Sequence, residues 1–215
     1  MDPEASPKRQ FAVSLRHPVA SDEREYTALR RAHRAFLEPW EPVPPPGHSP
    51  FTSDDFDRLM ATARTEMNKR FVIQHDIDRA IIGQVSLNSI LLGPMRSAFI
   101  GYWIAPTHAR RGFMTQAITL ALCYAFNRLM LHRVEANIQP HNTASIGTIL
   151  KVGFRYEGFS PKLVQIAGKY ADHNRYAMLD EEFFARYPSC VNHAEVSDHS
   201  VHFVTPATPD IYRTP

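Results

Sequence analysis

The sequence predicts a mixed α+β sheet with helices on both faces, and three observations carry that prediction. The apolar spacing changes along the chain in the order strand, two helices, three strands, helix, strand, helix, closing strands. The three β-rich runs in the middle are separated only by the turn signals DIDR and GPMR, which makes them an antiparallel meander. The run from 112 to 127 carries no charged residue and keeps helical apolar spacing, so it is a helix with little of its surface toward water.

Taken in order, MDPEASPKRQ (1–10) is a polar tail, and FAVSL (11–15) alternates like a half-buried strand. Ser21 or Asp22 can cap a helix with Tyr26, Leu29, Ala32, His33, Phe36 and Leu37 at helical spacing, stopped by Pro39. PWEPVPPPGHSP (39–50) holds six prolines and reads as a stiff loop. Ser53 starts a second helix, with Phe56, Leu59, Met60, Ala63 and Met67 on one face. The meander follows at 71–75, 80–92 and 97–105, then the helix over 112–129, uncharged as far as Asn127, and a strand over 132–138. Asn142 opens a short helix to about Val152, with Gly153 as a left-handed C-cap. FRYEGF, KLVQIAGKY and NRYAML are closing strands, with AGK as a hairpin turn. The expected organisation is a tail (1–10), one domain (11–183) and a loosely ordered C-terminal tail (184–215).

A chain of 215 residues can bury one core without metal or disulfide staples. Cys123 lies in an apolar helix pattern and Cys190 in a polar tail, with no secretory leader before them, which points to the reducing cytoplasm. No apolar run reaches the length needed to span a bilayer, and a net charge of +2 from scattered groups argues against direct nucleic-acid binding. The tail histidines His193, His199 and His202 have irregular spacing without a cysteine or carboxylate framework, so no metal site is expected.

In IAPTHARRGFMTQA (104–117), Arg110 and Arg111 stand at the N-terminus of the uncharged helix, whose free amides already carry a partial positive charge. That placement becomes favourable when an anion binds, and Gly112 permits close backbone approach to it. Two solvated loop arginines and a turn glycine would read the same way locally. Neither GxGxxG nor GxxxxGK[ST] occurs, which argues against dinucleotide and nucleoside triphosphate sites in their usual forms.

The order strand, basic glycine loop, buried helix, strand, PHNTASIGTILKVGF resembles the GNAT acetyltransferase superfamily. FLEPWEPV (36–43), RRGFMTQAI (111–118), HRVEANIQPHNTAS (132–145) and GFRYEG (153–158) further resemble the Rim-type ribosomal-protein N-terminal acetyltransferases, and among these the RimJ type. The resemblance implies a GNAT fold, mostly antiparallel and flanked by helices, with a splayed strand at the acetyl-CoA site. Its loop pattern Q/R-x-x-G-x-G/A lays Ala109 on the Q/R position, Gly112 on the required glycine and Met114 on the last place; Ala109 departs from the pattern. Acetyl-CoA contacts are implied for Trp103, Ile104, Ala105, Arg110, Arg111, Gly112, Phe113, Met114 and Asn142, and acceptor contacts for Trp40, Glu41 and Tyr102. Phe36 is expected in the core.

Glu135 is the implied base on the strand after the helix, with Glu41 as its rival; a solvent-facing partner of Arg133 is the plainer role for Glu135. The late-hairpin glutamate of the RimL type is replaced by Val164. Ser145 is the implied acid, falling at the third helical position behind Asn142, where a capping contact is the alternative. Gly147 inside this helix implies close packing by cofactor or by a neighbouring strand. The implied enzyme transfers acetyl from acetyl-CoA to a protein N-terminal α-amine, such as a ribosomal protein starting with Ala or Ser, as a monomer or homodimer. A small-amine acetyltransferase and a non-catalytic acyl-CoA-binding module are the other readings.

Overall fold

The computed structural model describes residues 12–191. Seven strands form one sheet in the order β1-β2-β3-β4-β5-β7-β6. They are β1 (Val13–Arg16), β2 (Lys69–His75), β3 (Ile81–Leu91), β4 (Ser97–Ile104), β5 (Arg133–Ile138), β6 (Arg155–Ile166) and β7 (Lys169–Leu179). Every neighbouring pair is antiparallel except β4 with β5. The meander is therefore as expected. The closing segments form only two strands, because FRYEGF and KLVQI run together as β6 with register shifts between Tyr156 and Gly158 and between Ser160 and Val164. The β6–β7 turn places Ala167 (φ 47°) and Gly168 (φ 81°) in the left-handed region, as a two-residue hairpin of this hand requires.

Helices α1 (Glu23–Ala32) and α3 (Ser53–Thr62) cover one face, where Tyr26, Phe56 and Leu59 pack on Val72 and Ile81. Helix α4 (Phe113–Cys123) lies on the other; Ala117, Ile118, Ala121 and Leu122 are fully buried beside Leu15, Phe71 and Ile73. Burying a leucine or isoleucine side chain contributes about 1.5–3 kcal/mol, so this uncharged helix anchors the sheet. Its continuation Tyr124–Arg128 widens into a π turn. Helix α5 (Thr143–Val152) ends at Gly153, φ 112°, the expected left-handed cap. Gly83 is fixed by close approach: a Cβ there would stand 2.4 Å from the Trp103 carbonyl oxygen.

Three departures matter. The first helix breaks at His33 (φ −112°, ψ 20°), and a short α2 (Arg34–Leu37) turns Leu37 inward and leaves Phe36 49% exposed, so Phe36 is not core. Helix α3 ends at Thr62, which leaves Met67 exposed outside it. The ordered chain also passes the boundary expected at 183. Helix α6 (Asp180–Arg186) brings Phe183 and Phe184 onto Phe126, Tyr187 packs on Phe183, and Cys190 behind them is bonded to Cys123. The unlike sequence contexts of the two cysteines hid this pairing. No described helix is long and apolar enough to cross a membrane. The tail histidines lie outside the described residues.

Candidate active site

The site begins with a split in the sheet. β4 and β5 pair only at Ser97–Phe99 against Arg133–Glu135, while β3 follows β4 as far as Ile104. Beyond Phe99, the edge of β4 facing β5 is left without a ladder partner, so its peptide groups are available to a ligand.

Helix α5 closes the far side of the split. Asn142 Oδ1 accepts the Ser145 amide at 3.1 Å, which makes Asn142 the N-cap and places Ser145 at the third helical position. Ser145 Oγ then shares a 2.6 Å hydrogen bond with Tyr102 Oη from β4. Burial pushes the Tyr102 phenol well above its ordinary range, with the Ser145 bond opposing it, so the phenol stays protonated and can donate. The serine hydroxyl and the tyrosine, expected in different tasks from the resemblance, meet at one spot.

On the near side, the chain turns through Pro106–His108 and enters α4 with Arg110 (φ 61°) and Gly112 (φ 82°) left-handed. A Cβ at Gly112 or at Gly147 would meet no atom within 4 Å. The space beside Gly147 excludes a neighbouring strand as the reason for glycine there and leaves room for a ligand. Both glycines border one cavity of about 1150 Å³ that also reaches Tyr102, Ser145, Trp40 and Glu41. A long ligand with an anionic part at the α4 amides fits this shape and these groups.

Of the expected cofactor contacts, Trp103, Ile104, Arg110, Gly112, Met114 and Asn142 line the cavity. Three do not. Ala105 is fully buried, and its N–H donates to the Ile82 carbonyl at 2.8 Å, back across the sheet. Phe113 is buried against His75, and the Arg111 guanidinium lies 4.8 Å over the Phe113 ring. Of the two loop arginines, Arg110 rather than Arg111 lines the cavity. Ala109 and His108 also line it; burial, then the Arg111 charge, lowers the His108 pKa below its ordinary value.

Glu135 does not reach the cavity. It sits in the paired part of β5, opposite Phe99 and Ala177, is 9% exposed, and is held by Arg133 Nε at 3.0 Å and an Arg175 nitrogen at 3.3 Å. The split opens above it, so the position suits an ion network better than a base. Glu41 does line the cavity, but Arg30 grips both its oxygens at 2.8 and 2.7 Å and also donates from Nε to Asp55 at 2.7 Å. The guanidinium lies over the Phe51 and Trp103 rings at 4.8 and 5.3 Å. This cluster pins the proline-rich loop to α1 and α3, and the Glu41 carbonyl accepts the Ala167 amide of the β6–β7 turn at 3.0 Å. Trp40 and the misassigned Phe36 wall the same region.

Sequence reasoning missed Arg30, Asp55, Arg58, Arg70, Gln84, Ser86 and Asn88, all cavity-lining. A signal existed: Gln84, Ser86 and Asn88 alternate with Val85 and Leu87 and so share one face. Among the described residues, His132, Asp180 and Glu181 have cation-like spacing, but they lie at the surface and outside this cavity.

A split strand, a glycine turn into a buried helix and a tyrosine–serine pair come together at one cavity, the arrangement expected of an acetyltransferase site. The family model described as "Acetyltransferase (GNAT) domain" matches residues 13–155, and the chain belongs to that family. The probable N-acetyltransferase YjcK of Bacillus subtilis (strain 168) is 32% identical over 180 residues, 79% of this chain and 95% of that protein. The ribosomal protein uS5-alanine N-acetyltransferase of Escherichia coli (strain K12) is 30% identical over 146 residues, 66% of this chain and 74% of that one. Among solved structures, Mycobacterium smegmatis RimJ in complex with CoA-disulfide superposes with a TM-score of 0.74 at 29% identity, covering 84% of this chain and 91% of that one.

Proposed function

We propose that this N-acetyltransferase takes acetyl-CoA as co-substrate and acetylates the N-terminal α-amine of a protein, of the kind a ribosomal protein beginning with Ala or Ser presents. The observation that carries the reading is one cavity lined by Tyr102 and Ser145, by Gly112 and the start of α4, and by Trp40 and Glu41; we read the Gly112 part as a cofactor arm and the Trp40 part as an acceptor arm. The relatives named for ribosomal-protein alanine acetylation and RimJ point to the same acceptor class.

The chain's own groups divide the work. Arg110 and the first amides of α4 offer charge and donors to a pyrophosphate, and the unpaired edge of β4 offers peptide groups to an extended thioester chain. Acetyl-CoA supplies the activated acyl group. A protein α-amine has a reference pKa of about 7.7–8, so an unassisted neutral fraction exists near neutrality and the engaged Glu135 and Glu41 need not act as strong bases. Tyr102 and Ser145 hold the proton destined for the departing sulfur, with the buried phenol feeding the serine hydroxyl. A metal has no part in this reading, and the catalytic unit is one chain, whether free or in a homodimer.

The reading places the enzyme in the cytoplasm, where nascent ribosomal proteins are found. Cys123 and Cys190 are 1% and 4% exposed, which shelters their bond from thiols. Thiol release from acetyl-CoA with peptides beginning in Ala or Ser, compared with spermine and an aminoglycoside, tests the proposal. Faster turnover of either small amine would overturn it, and CoA binding without turnover of any amine would leave only a binding module.

A further inference from the structure

Between α3 and the sheet, the acceptor arm carries charges that the chemistry above does not use. Arg30, Arg58 and Arg70 line it against only two carboxylates, Glu41 and Asp55, a surplus of one positive charge. Both carboxylates are taken by Arg30.

Arg58 and Arg70 have no such partners. Neither guanidinium makes a hydrogen bond or an ion pair to any described residue, and the Arg70 Nε–H is buried without an acceptor. The acids one turn back from Arg58 on α3, Asp54 and Asp55, are already engaged, and the adjacent Asp57 is exposed and does not share its helix face. Asp54 binds His48 and the Ser49 amide, and Asp55 binds Arg30. Burial disfavours the charged form of Arg70 and the nearby Arg58 charge adds to this, while Tyr26 and Asp55, the latter already held by Arg30, oppose it only in part. Two like charges held together at a cavity wall are costly unless an anion joins them.

The sheet register gives this pair a place relative to the chemistry. Arg70 stands opposite Ser86, and Ser86 opposite Gly101, so the three form a row across β2, β3 and β4. Gly101 has no side chain to block the row, and it leads to the strand edge beside Tyr102. Strands lie about 4.8 Å apart, which puts the Arg70 backbone about 10 Å from that edge, with its side chain on the same face as Ser86.

We infer that Arg58 and Arg70 form an anion subsite that receives a carboxylate lying a few ångströms beyond the acceptor amine, in the form of an acidic side chain at the second or third position of the acetylated N-terminus. This inference rests on the proposed acceptor class. The α-carboxylate of a free amino acid is the other source of the same chemistry, although it lies closer to its own amine. A polyamine, which brings positive charge, does not suit the arm.

The test uses the full chain saturated with CoA for calorimetric binding, and with acetyl-CoA for turnover, on peptides identical except for Ala-Glu, Ala-Gln or Ala-Lys at the start. Alanine and alaninamide form a second arm. The Glu peptide is expected to exceed the Gln peptide by about tenfold or more in affinity and in kcat/KM, with Lys lowest. Arg70→Gln and, separately, Arg58→Gln should bring Glu and Gln to near parity, whereas Arg70→Lys retains a preference. Equal binding of the three peptides, or a Glu preference that survives both glutamine variants, overturns the inference even if all three are acetylated. Use of alanine but neither alaninamide nor peptides would keep the subsite and refute the protein acceptor. Should no amine turn over, the peptide affinities still decide the subsite.

Discussion

Replacing Gly147 by alanine should move stability and cofactor use in opposite directions. Gly147 lies in the interior of α5, where alanine is better than glycine by about 0.8–1 kcal/mol. A Cβ there meets no protein atom within 4 Å, so no steric term offsets that gain. For a domain of this size the gain corresponds to a rise in melting temperature of roughly 2–4 °C. The same methyl group enters the cavity between α5 and the α4 loop, where the co-substrate is proposed to lie. Overpacking against a ligand costs about 1–3 kcal/mol, a rise in acetyl-CoA KM of roughly fivefold to more than a hundredfold. Differential scanning calorimetry without ligand and initial rates over acetyl-CoA concentration read the two effects separately. A stabilised protein with unchanged KM would refute the placement of the co-substrate against α5, and a destabilised one would refute the open space at Gly147.

Gly112→Ala and Gly93→Ala make a matched pair, since both glycines are left-handed and neither Cβ would touch anything within 4 Å. Each should lose about 1–2 kcal/mol of stability, but only the Gly112 variant, at the cavity, should lose CoA affinity by calorimetry. Tyr102→Phe and Ser145→Ala should both lower kcat by about tenfold or more with little change in acetyl-CoA KM, and the double variant should be no worse than the slower single one, because the two hydroxyls serve one proton. His17, buried against Phe71 with its ring nitrogen on the Arg70 carbonyl, is held below its ordinary pKa by desolvation. Its contribution to stability is therefore complete above about pH 6.5 and is lost as pH falls through the lowered folded value, so His17→Gln should flatten the drop in melting temperature between pH 7 and pH 5.

Much of the framework was legible because it rests on local patterns. The meander, the uncharged helix, the Asn142 cap and the Gly153 terminus each follow from spacing or from one residue's backbone preference. The acceptor arm was not legible in this way. Arg30 and Phe36 fall on a helix whose periodicity predicts burial for Phe36 and says nothing of Arg30; the break at His33 and the hold of Arg30 on Glu41 and Asp55 exchange their places. Glu135 was drawn by its place in the element order, but the sheet stays closed at that level and opens only beyond it. Arg111 and Arg110 are equivalent in sequence, and only the left-handed turn at Arg110 sends one to the cavity and the other onto Phe113.

The Cys123–Cys190 bond also sets how the molecule would bear load. A pull on the C-terminal end reaches Cys190 and passes straight into the last residue of α4, bypassing the chain between them over a sequence separation of 67. β5, α5, the β6–β7 hairpin and α6 all lie inside that bypassed loop, with Asn142 and Ser145 among them. While the bond is intact, force or processive unfolding from that end must first strip the uncharged central helix from its sheet, the hardest place to start. Reduction hands the load instead to the short α6 and releases up to about 230 Å of hidden chain length.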